Sequence, residues 1–181
     1  APAHHRRIQA GILSWGQDLD HEHNPFQCNL GYQVSLSGKG EWAKKGDYIG
    51  KQALEKMKAD LKDGHKPYKL QLVGFEIGGK PIDEYAPDFW LVSPGDGGDP
   101  CGFITSPWYH PEKGKNIAMG YIPFDGTLNP NGFPKWELGK KFKVHLPDIY
   151  ADEPGVPVDA VTVDVPFTES FNANTREVVK G

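Results

Sequence analysis

Cysteine is scarce: the chain has two, Cys28 and Cys101, in 181 residues. Two are too few for a small scaffold stapled by several disulfides, and a zinc site would need more ligands at closer spacing. The two can pair, but spacing does not show it; two free thiols in a reducing cytoplasm is the plainer reading. Long apolar runs are missing, and so is a secretory signal, so a membrane partner is not expected. No basic block appears, and the net charge is -4 with acids and bases mixed along the chain. A nucleic-acid surface is therefore not expected either. The chain lacks G-x-S-x-G, a P-loop, H-E-x-x-H and a G-x-G-x-x-G that follows a strand. It also lacks an initiator methionine, and APAHHRRIQA reads as an entry in mid-protein, so a fragment or a processed chain is expected.

What is present is turn-forming and aromatic. There are 22 Gly and 16 Pro, and aromatics make up 12%. That mixture favours β-structure joined by loops over a helical bundle. Ile8, Ile12, Leu13 and Trp15 suit one face of a short helix that Gly16 ends. The following DLDHEHNPF is too polar for a buried element and reads as a loop, with Pro25 turning Asn24 away from helix. The stretch 31-GYQVSL-36 alternates like a short strand. In 47-DYIGKQALEKMKADLKDG-64, Asp47 is a plausible N-cap and Gly64 a stop. Ile49, Ala53, Met57 and Leu61 form its apolar stripe, widened by Leu54.

From Tyr68 the pattern changes to short alternating runs: 69-KLQLVGFEI-77, 89-FWLV-92, 102-GFIT-105, 116-NIAMGYI-122, 141-KFKVHL-146 and 156-VPVDAVTVDVPF-167. Gly74 suggests a bulge. Turn-rich pieces separate the runs, and six such strands predict a small antiparallel barrel or sandwich. The expected fold class is α+β. Residues 1–65 make an α/β piece and residues 66–181 an all-β module.

Several side chains invite chemistry. An H-x-H pair such as His21 and His23 can chelate a metal from a strand, but a solvated acidic loop is the better reading here. Asp18 and Asp20 would need a cleft to act as a general acid/base pair, and surface carboxylates are the commoner fate. Ser106 lies near His110, but Pro107 between them points to a turn, not to a nucleophile. Trp108 and Tyr109 either stack on a flat ligand or cover the barrel end, and the cover reading is preferred. Arg7 offers a fork for carboxylate or phosphate, against the plainer alternative of a surface salt bridge.

Four stretches in series carry a resemblance. The run 7-RIQAGILSWGQDLDHEHNPF-26, the segment 47-DYIGKQAL-54, the segment 104-ITSPWYHPEKGKNIAMGYIP-123 and 165-VPF-167 resemble, in order and spacing, motifs of the glycine-cleavage T-protein family of aminomethyltransferases. The spellings ILSWGQDLD and NPFQCNLGYQVSL resemble most the dimethylsulfoniopropionate demethylase branch. The resemblance covers nearly the whole chain and places it at the C-terminal half of such an enzyme: the last part of an α/β folate-binding region, then the final barrel. It implies a cytoplasmic methyl- or aminomethyltransferase with tetrahydrofolate as cofactor and a small-molecule methyl donor. It also implies, as a partner, the N-terminal half of the same enzyme, which holds the family's catalytic aspartate, so these residues alone are not expected to turn over.

By the same resemblance Arg7 matches the family's arginine at the folate site, Trp15 its channel aromatic, and Arg176 a C-terminal arginine of some members. A guanidinium and an aromatic wall suit a glutamate tail and a pterin. Gln9 and Gln27 stand where the family has glutamates, so two negative charges are gone. Two lengthened loops, at residues 38–46 and 125–139, also depart from the pattern. An aromatic O-demethylase of the same family, and a non-catalytic folate-binding or interaction module, are the alternatives.

Overall fold

The computed structural model describes residues 2–36 and 47–167. In order along the chain come α1 (Pro2–Gln9), a 3-10 turn (Gly31–Gln33), α2 (Lys51–Lys62), β1 (Leu70–Ile77), β2 (Trp90–Pro94), β3 (Gly102–His110), β4 (Lys115–Pro123), β5 (Lys141–Val144) and β6 (Val158–Val163). The six strands close into a barrel in the order β1-β4-β3-β2-β5-β6. The neighbouring pairs β1–β6, β2–β3, β2–β5, β3–β4 and β5–β6 are antiparallel. Closure leaves no strand edge open, which is how a small all-β unit avoids edge-to-edge pairing. The expected α+β class with a small antiparallel barrel is what the chain adopts, and it is a barrel, not a sandwich.

Two compact units emerge. One comprises Ala1–Asp20, Leu72–Ile122 and Glu137–Gly181; the other comprises His21–Gln71 and Pro123–Trp136. They interleave along the chain, whereas the sequence pattern suggested one boundary near residue 65. In the first unit Val73, Phe75, Ile77, Val92, Ile104, Phe142, Val144 and Ala160 are buried. Phe75 and Phe142 meet edge-on at 5.9 Å. Side chains of this size stabilise by about 1.5–3 kcal/mol each when fully buried. In the second unit Phe26, Leu61 and Phe124 form a core against which Leu54, Met57, Tyr68, Leu128 and Phe133 pack. The stripe of α2 is thus Leu54, Met57 and Leu61. Ile49 lies outside the helix and Ala53 is exposed.

Other local expectations fail for identifiable reasons. α1 stops at Gln9 and does not run to Trp15. Gly11 has φ +67, the Gly11 amide donates to the Ile8 carbonyl and the Ile12 amide to the Arg7 carbonyl. That pair of bonds around a left-handed glycine is a Schellman stop, which overrides the apolar spacing beyond it. Gly64 ends α2 in the same way, as expected: its φ is +82, and the His65 amide donates to the Asp60 carbonyl. The stretch 31–36 begins with the 3-10 turn and forms no strand. Asp47 does not cap α2; the N-cap is Gly50, and Asp47 pairs with Lys51 at 3.1 Å. Gly74 marks a tight approach in place of a bulge: a Cβ there would meet Val165 Cγ2 at 2.6 Å and Val163 O at 2.9 Å. The irregularity lies in β3, between Ile104 and Ser106.

Candidate functional site

The motif stretch 7–18 forms a buried polar brace against the barrel, all within the first unit. α1 packs on β3. Its last turn carries Arg7, and the loop that follows turns back to place Asp18 beneath it. Asp18 is 1% exposed. Its carboxylate accepts from Arg7 Nη1 at 2.8 Å, the Ser14 amide at 2.8 Å, Thr105 Oγ1 at 2.5 Å and Ser106 Oγ at 2.6 Å. Those four bonds use the acceptor capacity of an ionised carboxylate, which is how a buried charge is made tolerable. The Asp18 carbonyl accepts from Tyr121 Oη at 2.6 Å.

Arg7 is equally engaged. Nη1 also donates to the Ile12 carbonyl at 3.2 Å. Nη2 donates to Gln17 Oε1 at 3.0 Å and to Ser106 Oγ at 2.9 Å. Nε reaches His4 Nδ1 at 3.4 Å. A guanidinium has five N–H donors, and each has a partner here. Gln17 Nε2 closes the network on the Thr105 carbonyl at 2.7 Å. The bulge at Ile104/Ser106 is what lets neighbouring Thr105 and Ser106 both face Asp18.

Asp18 therefore corrects the surface-carboxylate expectation: it is a buried ion-pair partner. Asp20, two residues on, is exposed. Trp15 sits in the loop that the brace holds and is 62% exposed. The brace thus gathers Arg7 with Asp18, Ser106, Thr105 and Gln17 and leaves the Trp15 indole on the surface. Arg176 lies outside the described residues. Ser106 donates to Asp18 and does not face His110, whose Nε2 lies 3.0 Å from Gln9 Nε2. Trp108 packs edge-on to His4 at 5.2 Å, and so covers α1. Gln9 takes the His110 ring as its partner; the Gln27 backbone N–H donates to Asn24 Oδ1 at 3.0 Å, so Asn24 caps that turn. His21 is exposed. Among the described residues no group of three or more His, Cys, Asp or Glu could hold a metal ion. Nor is any helix among them long and apolar enough to cross a membrane.

Burial pushes His4, His5 and His110 below the usual histidine range, with Arg7 adding to the effect at His4. The residues that sequence reading missed as a site are Thr105, Tyr121, Gln17 and Asp18. A signal existed: Thr and Ser side by side inside an otherwise apolar strand demand buried partners.

No family model matches the chain. Its sequence is 32% identical over 117 residues, 65% of the chain and 27% of the relative, to an aminomethyltransferase of Synechocystis sp.. It is 29% identical over 162 residues, 89% of the chain and 35% of the relative, to an aminomethyltransferase of Thermosynechococcus vestitus. The chain thus spans between about a quarter and about a third of the length of the curated relatives it matches. Its fold is that of part of the glycine cleavage system aminomethyltransferase T from Bartonella henselae. The TM-score is 0.61 at 20% identity, covering 90% of this chain and 37% of that one. By sequence the chain is similar to aminomethyltransferases, and by fold to part of one.

Proposed function

We propose that this chain supplies the barrel and one wall of the folate site in a tetrahydrofolate-dependent one-carbon transferase, whose N-terminal half is the partner that completes it. The observation that carries this reading is the sequence likeness to aminomethyltransferases. The site's residues fit a folate in part. Trp15 presents an indole face that a pterin or benzoyl ring can stack on. Arg7, with every donor engaged, suits a folate tail only indirectly. It holds the loop that presents Trp15, and is in that sense a positioning residue. Tetrahydrofolate, when bound, supplies the one-carbon acceptor, and the protein's part is orientation and exclusion of water.

For the donor we propose a small sulfonium of the dimethylsulfoniopropionate type, on the strength of the spellings ILSWGQDLD and NPFQCNLGYQVSL. An aminomethyl donor, as the relatives' names imply for them, and an aromatic methoxy donor are the competitors. A screen of the three donors with tetrahydrofolate and the intact gene product separates them; turnover with the sulfonium alone is the expected result. The saturated Arg7 is the one observation favouring a non-catalytic module, and failure of all three donors despite folate binding would establish that reading instead.

A further inference from the structure

We propose that the histidine face of α1 is a proton-operated latch, which docks the helix on β3 at neutral pH and releases it on acidification. The His5 ring stands edge-on to His110, 6.0 Å between centroids and 89° between planes. His110 is 2% exposed. The Lys113 amide donates to His110 Nδ1 at 3.4 Å, and Gln9 Nε2 lies 3.0 Å from His110 Nε2. An imidazolium at His110 would thus set an N–H against a donor at both ring nitrogens. His5 Nε2 is buried and finds no hydrogen-bond partner among the described residues. An imidazolium at His5 would hold an unpaired buried donor beside a second ring ready to charge.

The groups facing this pair do not rescue the charged forms. α1 contributes Arg6, which opposes a proton on His5. The turn after β3 contributes Glu112, which favours one on both rings, and Lys113, which opposes one on His110. β1 contributes Glu76, already held by Lys115 at 2.7 Å and Lys113 at 3.7 Å. Burial outweighs the acids, and both rings titrate below the ordinary 6.5. The docked helix therefore binds fewer protons than the released one. Docking is fully favoured above 6.5 and is lost as pH falls from there through the lowered values. Each proton taken up on release adds about tenfold per pH unit to the opening equilibrium. Because Arg7 rides on α1, release would slacken the loop that carries Trp15. That consequence rests on the folate reading; the latch itself does not.

Amide hydrogen exchange on the full chain tests it, with β4 as the internal standard. Between about pH 7.5 and about pH 5.5, after correction for intrinsic rates, protection at residues 4–10 should fall at least about tenfold relative to β4. A chain carrying both His5→Gln and His110→Gln should keep only the smaller part of that difference that His4, on the same helix, contributes. Parallel behaviour of α1 and β4, or an unchanged difference in the double variant, would overturn the proposal. If the double variant does not fold, ring-proton NMR of the unaltered chain decides. His5 and His110 should titrate below the ordinary histidine value of 6.5, and titration at or above it would refute the latch.

Discussion

Asp18 and Arg7 hold each other at 2.8 Å with the Asp18 side chain fully buried, so neither can be removed without leaving a charge stranded. Asp18→Asn keeps the shape and deletes the charge that Arg7 faces. It is expected to cost about 3–5 kcal/mol of stability, read as a lower urea midpoint with an unchanged slope. Trp15→Ala is the contrasting change. The indole is 62% exposed, so stability should stay within about 0.5 kcal/mol, while tetrahydrofolate binding by the intact gene product weakens by about 0.5–1.5 kcal/mol. Arg7 and Trp15 were singled out in sequence because the motif around them resembles that of a known family; their engagement in the brace and exposure on the surface were not legible there. Nor was the burial of Asp18. A carboxylate in a run of acids and histidines looks solvated until the fold brings Ser106 and Thr105, 87 and more residues away, onto it.

The strands were the most readable elements, because alternation and turn residues frame them. Phe142 and Val144 are buried as the pattern in KFKV requires. α1 was misread because Ile12 and Leu13 continue an apolar period past a glycine that already ends the helix. Glycine has a second use in the β3–β4 pair, where a Cβ at Gly102 would sit 2.0 Å from the Tyr121 carbonyl oxygen, and one at Gly120 2.5 Å from that of Phe103. Gly102→Ala must push backbone aside, and should cost about 1–3 kcal/mol or more, measured by thermal unfolding. At Gly11 the demand is double: φ is +67, and a Cβ would meet Val165 Cγ1 at 2.3 Å. Gly11→Ala should therefore exceed the roughly 1–2 kcal/mol of the left-handed conformation alone.

For the whole chain, composition excluded more than it assigned. Few cysteines and mixed charge argued against disulfide frameworks and nucleic-acid surfaces, and plentiful glycine, proline and aromatics pointed to β-structure. The interleaving of two compact units was not legible, because nothing local marks that residues 123–136 return to the unit begun at residue 21. The central claim, that the chain helps enclose a folate, is tested most directly by calorimetric titration of tetrahydrofolate into the intact gene product and its Trp15→Ala and Arg7→Lys variants. The account predicts saturable one-to-one binding that both variants weaken, with the Arg7→Lys protein also less stable. Absence of binding, or binding that neither variant alters, would contradict it.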